Sequence, residues 1–107
     1  MTTYHFVVAS KRFLTEEEPL DEVLRERHRN YAEREKPIDF WLLRCPAFLE
    51  APELQTLAAS VPRPAAAVVS TDYAFISFMK LRLEFVAVGH FEAPSVDIPN
   101  PLAQRQD

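Results

Sequence analysis

Alternation and helical spacing divide the chain into seven segments. Tyr4 to Ala9 is rich in β-branched and aromatic residues and predicts a first strand. Leu20, Val23, Leu24, Arg27 and Tyr31 recur at spacings of three and four, a mostly apolar helical stripe. The acidic run Glu16 to Glu18 ahead of Pro19 suits the positive end of a helix dipole, so a helix is expected from about Pro19 to about Lys36, where Pro37 stops it. Asp21 with Arg25, and Arg29 with Glu33, are spaced for ion pairs on its outer side. Ile38 to Leu43 predicts a second strand. After the turn-rich Pro46 to Pro52 comes a short helix with Leu54, Leu57, Ala58 and Val61 inward, stopped by Pro62 and Pro64. Ala66 to Ser70 predicts a short buried strand. Asp72 is placed to cap a third helix running to about Arg82 or Leu83. Glu84 to His90 predicts a last strand, and the Pro-rich chain from Pro94 to Asp107 an extended tail following a single domain of residues 1–93.

The order is β-α-β-α-β-α-β: one small sheet with helices packed against it, an α+β or α/β arrangement in which the pattern alone leaves strand direction open. Two places carry more apolar surface than a single covered face needs. In IDFWLL, alternation puts Ile38, Phe40 and Leu42 on one side of the strand and Asp39, Trp41 and Leu43 on the other. Either helices cover both faces or one face meets a partner. In the third helix, Phe75, Ile76, Met79 and Leu83 form one stripe, and Ala74, Phe78, Leu81 and Phe85 form a second if the helix persists that far, with Arg82 beside it. A helix apolar nearly all round is deeply buried or shares one side with another chain. An Arg among aromatics fits an interaction hot spot as well as a core-edge residue whose stem packs inward.

Composition narrows the function. The 107 residues suit one domain, and 48% hydrophobic with 26% charged residues is ordinary for a globular chain. The balance of 12 Lys+Arg against 16 Asp+Glu, net −4, opposes nucleic acid and anionic membrane surfaces as partners. Strand-like sequence begins almost at the N-terminus, so no signal or transit peptide is expected, and the apolar run YAFISFMKLRLEFVAV is broken by Lys80, Arg82 and Glu84, so no direct membrane insertion is expected. One cysteine, Cys45, allows no intrachain disulfide and suits a reducing compartment such as cytoplasm or stroma. A single glycine, Gly89, against nine prolines rules out the usual Gly-rich phosphate loops.

Catalytic constellations are missing. A carboxylate-bridged di-iron site needs Glu-x-x-His on two helices, since positions i and i+3 project toward one metal, and none of His5, His28 and His90 has Glu three residues earlier. One Cys and scattered His make no zinc set. There is no Gly-x-Ser-x-Gly elbow, and Cys45, before Pro46, has no histidine close in sequence. These residues read as ordinary strand, helix and strand-end positions. No catalytic residue, metal site or cofactor is expected.

The segments FVVASKRFLT, EEPLDEVLRERHRNYAEREKPIDFWLL, PAFLEAPEL and FISFMKLRLEFVAVGHFEAPSVDIPNPLA resemble the small auxiliary subunit of the oxygen-dependent magnesium-protoporphyrin IX monomethyl ester cyclase of cyanobacteria and chloroplasts, from Thr2 to about Ala103. The resemblance implies an α+β fold with a mainly antiparallel sheet flanked by helices. It implies a non-catalytic assembly or auxiliary role in chlorophyll biosynthesis, at the step that yields protochlorophyllide. The partner is then a separate membrane-associated di-iron catalytic subunit, met in the cyanobacterial cytoplasm or the plastid stroma, with Asp39, Phe40 and Arg82 at the contact. A tetrapyrrole-binding carrier using the same aromatic surface, with a histidine as axial magnesium ligand, is the alternative. An internal Asp39–Arg82 ion pair is the structural alternative for those two residues.

Overall fold

The computed structural model describes residues 1–18 and 20–105. Four strands, β1 (Thr2–Ser10), β2 (Phe40–Arg44), β3 (Ala65–Ser70) and β4 (Ala87–Ala93), form one antiparallel sheet in the order β2-β3-β1-β4. Three helices intervene: α1 (Asp21–Glu33), α2 (Gln55–Ala59) and α3 (Tyr73–Arg82). The fold is therefore α+β, with the expected alternation of strands and helices.

Strand alternation splits the core into two layers. Phe6, Val8, Ala67, Val69, Leu43 and Phe91 point to one face, where α2, the 3-10 turns Ala47–Glu50 and Pro52–Leu54, and Ile98 cover them. Val7, Ala9, Ala66, Val68 and Phe40 point to the other, beneath Leu20, Leu24 and Tyr31 of the α1 region and Phe75, Ile76, Met79 and Leu83 of the α3 region. Helical segments thus cover both faces of the sheet, which accounts for the two-sided apolar character of IDFWLL. The central strand β3 is buried along its whole length, as expected for a strand packed on both sides.

Boundaries differ from the sequence pattern for local reasons. Pro19 lies outside the described residues, and the segment before it is not a plain helix start: Phe13–Glu17 forms a π-helical turn that buries Leu14. Helix α1 ends at Glu33, ahead of Pro37. Its carbonyls are closed by Glu35 N–H to Ala32 O (3.2 Å) and Lys36 N–H to Tyr31 O (2.9 Å), with Glu35 at φ 53°. This is a left-handed helix stop of the kind usually marked by glycine; Glu35 hides it. Arg29 pairs with Glu26 and not with Glu33. Strand β4 starts three residues later than expected, after a link in which Phe85 takes φ 61°. The chain after Pro94 is not extended. It turns back so that Ile98 is buried, Ala47 N–H bonds Ala103 O (2.9 Å), Arg105 N–H bonds Cys45 O (2.8 Å), and Gln104 bridges to Pro46 beside the end of β2. Its Ile98 and Leu102 join the core layer that holds Phe6, Phe48 and Phe91, a long-range effect that Pro-rich composition does not announce.

Candidate functional site

Asp39 immediately precedes β2 and Phe40 begins it, at the junction of α1, β3 and α3. Asp39 O accepts from Ser70 Oγ (2.7 Å) and Thr71 N–H (3.1 Å), tying the start of β2 to the end of β3. Its carboxylate accepts from the buried Tyr31 hydroxyl (2.8 Å) and lies 3.9 Å from Lys36 Nζ. The same hydroxyl accepts from Arg27 Nη2 (2.7 Å), which also reaches Asp72 Oδ2 (3.3 Å). Asp72 Oδ1 in turn accepts from the Ala74 and Phe75 N–H groups and so caps α3 as the sequence predicts. A continuous path Asp39–Tyr31–Arg27–Asp72 therefore fixes the start of α3.

Phe40 is a core residue, only 1% exposed. Its ring packs against His28 (4.6 Å), Tyr31 (5.2 Å) and Phe75 of α3 (5.7 Å). The Arg27 guanidinium lies 3.8 Å from the Phe75 centroid and 5.1 Å from that of Phe40, a cation–π arrangement strengthened by its partial burial. Phe40 presents no surface to a second chain; it bears on an interface only through the packing it gives α3. The ion pair considered between Asp39 and Arg82 is not formed. Asp39 faces Lys36 and Tyr31 near the start of α3, and Arg82 sits at that helix's far end, about 15 Å along a ten-residue helix.

Helix α3 buries one stripe and exposes the other. Phe75, Ile76, Met79 and Leu83 face the sheet. On the outer side Phe78 is 52%, Leu81 86% and Phe85 88% exposed, flanked by exposed Lys80 and Arg82, with Tyr73 at the helix start also largely in solvent. Water thus surrounds large apolar groups that no element among the described residues covers. Phe78 and Leu81 stand on the helix itself and Phe85 in the link that follows it, a grouping unlike scattered single apolar residues. Of the three residues singled out by the resemblance, Arg82 lies on this surface, Asp39 is half-buried below the start of α3, and Phe40 lies beneath it.

Sequence reasoning missed the roles of Arg27, Tyr31 and Asp72 as the links between these positions. The available signal was an arginine four residues from a tyrosine on an otherwise apolar stripe. A cation there must find partners inside the fold.

No three His, Cys, Asp or Glu side chains converge on a possible metal position among the described residues. His5 and His90 are direct cross-strand partners with ring centroids 6.0 Å apart, and Tyr73 packs edge-on against His5 at 5.1 Å. Burial first, and then the neighbouring His90, hold the His5 imidazole below its usual value, against an opposing pull from Asp72. Among the described residues no helix is long and apolar enough to cross a membrane.

Comparison with known proteins agrees with this architecture. The chain is 55% identical over 103 residues to a Ycf54-like protein of Synechocystis sp., covering 96% of this chain and 77% of that protein. It is 47% identical to the chloroplastic YCF54 protein of Arabidopsis thaliana over 90% of this chain and 45% of that longer protein. The solved Ycf54 structure from Synechocystis sp. PCC6803 superposes with a TM-score of 0.96 at 53% identity, covering 99% of both chains. A Nostoc sp. PCC 7120 structure gives a TM-score of 0.94 at 59% identity, covering 96% of this chain and 95% of that one. With residues 2–93 matching the model for the Ycf54 protein family as well, the chain belongs to that family, found in cyanobacteria and chloroplasts.

Proposed function

We propose that this protein is a non-catalytic auxiliary factor that binds the di-iron catalytic subunit of the magnesium-protoporphyrin IX monomethyl ester cyclase and supports protochlorophyllide formation. The cyclase assignment comes from the resemblance of its sequence segments to that auxiliary subunit. The observation that supports a docking role is the outer side of α3 and the link after it, where Phe78, Leu81 and then Phe85 stand in solvent near Arg82. Arg82 contacts the partner directly in this reading. Asp39 and Phe40 are positioning residues: the first anchors the hydrogen-bond path that ends at the α3 cap, and the second packs under Phe75. Association with membranes follows from the partner, and no cofactor is required of this chain.

The test is co-purification of the catalytic subunit with wild-type protein and with Arg82→Ala. The variant is expected to keep its unfolding free energy in urea within about 0.5 kcal/mol of wild type, as for an exposed surface site, and to retain little catalytic subunit. Undiminished capture by Arg82→Ala would remove this residue from the interface, and absence of capture by the wild type would remove the function.

A further inference from the structure

The sheet order β2-β3-β1-β4 leaves β2 and β4 as edge strands. An open edge is a row of unpaired N–H and C=O groups, a template for another strand. The edge of β2 is partly closed by the chain's own C-terminal segment: Gln104 Oε1 accepts from Arg44 N–H (2.6 Å), and Gln104 bridges to Pro46. Nothing among the described residues pairs with the outer edge of β4. Which of its groups face outward follows from the ladder. Lys11 N–H bonds Pro64 O (2.8 Å), one step beyond the Ser10–Ala65 pair, so odd residues of β1 turn their main-chain groups toward β3 and even ones toward β4. Tyr4, Phe6 and Val8 therefore bond Phe91, Gly89 and Ala87, and the N–H and C=O groups of Val88, His90 and Glu92 point away from the sheet. The side chains of these three stand exposed on the face that carries His5. The ion pairs among the described residues engage neither His90 nor Glu92.

We infer that β4 is a self-association edge: it pairs antiparallel with β4 of a second copy about a two-fold axis at Phe91, joining the two four-stranded sheets into one. Such an interface must be complementary to itself. Charge selects the register among those that set outward groups opposite one another. Centring on His90 sets imidazole against imidazole, and centring on Glu92 sets carboxylate against carboxylate. Centring on Gly89 sets Val88 against His90 of the second copy. Centring on Phe91 sets His90 of each copy directly opposite Glu92 of the other, so the favourable pair occurs twice. Directly opposed residues of this kind have Cβ atoms about 5.5 Å apart, within hydrogen-bond reach for an imidazole and a carboxylate. The overlap runs from Gly89 to Ala93 in both copies, and Pro94, with no N–H to donate, closes it. So short a paired stretch makes a small interface, and the association is weak and concentration-dependent. It uses the sheet edge and not the outer side of α3, so it stands or falls apart from the docking role.

Sedimentation velocity over a wide range of protein concentration measures the monomer–dimer equilibrium of the full chain as wild type, His90→Glu, the exchange His90→Glu with Glu92→His, and His90→Pro. Wild type is expected to pass from monomer to dimer as concentration rises. His90→Glu sets carboxylate against carboxylate at both pairs and is expected to raise the dissociation constant about tenfold or more. The exchange restores opposite partners and is expected to return the constant to within about threefold of wild type. His90→Pro removes an outward N–H at a place where edge strands tolerate proline, and is expected to remain monomeric. Circular dichroism checks the fold of each form, and the two charge variants, being surface changes, decide the matter if His90→Pro folds poorly. A wild type that stays monomeric throughout overturns the inference. So does a dimer that neither His90→Glu nor His90→Pro weakens, since it forms through another surface. A dimer weakened by His90→Glu and not restored by the exchange also overturns it, because pairing centred on His90 would still oppose two carboxylates.

Discussion

Phe40→Ala separates a core role from a contact role. Phe40 is 1% exposed and meets three aromatic rings and the Arg27 guanidinium. Truncating a buried Phe costs about 3–5 kcal/mol through lost transfer energy and the cavity left behind. The cation–π and edge-on ring contacts place this site toward the upper part of that range. A domain of this size has a total stability of about 5–15 kcal/mol, so the variant is expected to lose a large share of it. Each kcal/mol moves the melting temperature of a domain near 100 residues by about 4–8 °C, which predicts a fall of at least about 12 °C. Urea unfolding followed by far-UV circular dichroism, with wild type alongside, measures the change as a lower midpoint at unchanged slope. Any loss of partner binding by Phe40→Ala should then track the unfolded fraction or a loosened α3, in contrast to Arg82→Ala. A Phe40→Ala variant with wild-type stability and lost binding would refute the reasoning, because it would place the ring at a surface.

Gly89→Ala tests packing on the opposite face. A Cβ there would lie 2.7 Å from Phe6 Cζ and 3.0 Å from Leu57 Cδ1, and Phe6 is fully buried, so a loss of about 1–3 kcal/mol is expected in the same urea assay. Glu35→Gly should act in the other direction. The residue sits at φ 53°, where side chains cost about 1–2 kcal/mol, so glycine is expected to raise the unfolding free energy by up to about 1 kcal/mol once its greater unfolded-state entropy is subtracted. The pH dependence of stability carries the His5 signature. Burial and His90 lower the folded-state value, so the folded chain binds fewer protons than the unfolded one just below the usual imidazole pKa. Stability from this group is complete above that value and declines as pH falls from about 6.5 toward the lowered one. Urea midpoints between pH 7.5 and 5.5 should show this fall, and His5→Gln should flatten that part of it.

The alternation of four strands and three helices, the Asp72 cap and the apolar character of both sides of α3 were legible in local pattern. Each depends on contacts within a few residues: a side-chain period of two or 3.6, a carboxylate two residues from the N–H it accepts from, a proline that ends a helix. Apolarity on both sides of α3 was readable in the same way. Which side of α3 water reaches was not, because that depends on where the sheet lies; only the fold turned Phe75, Ile76 and Met79 inward and left Phe78, Leu81 and Phe85 outside. What Asp39 and Phe40 touch was likewise decided by the packing of distant segments. Their partners come from α1, β3 and α3, up to some thirty-five residues away in sequence, and such long-range hydrogen bonds and ring contacts leave no local period to read. The segment after Pro94 shows the same limit. Its composition describes a chain that makes few contacts of its own, and the fold supplies them by offering the end of β2 and a buried place for Ile98.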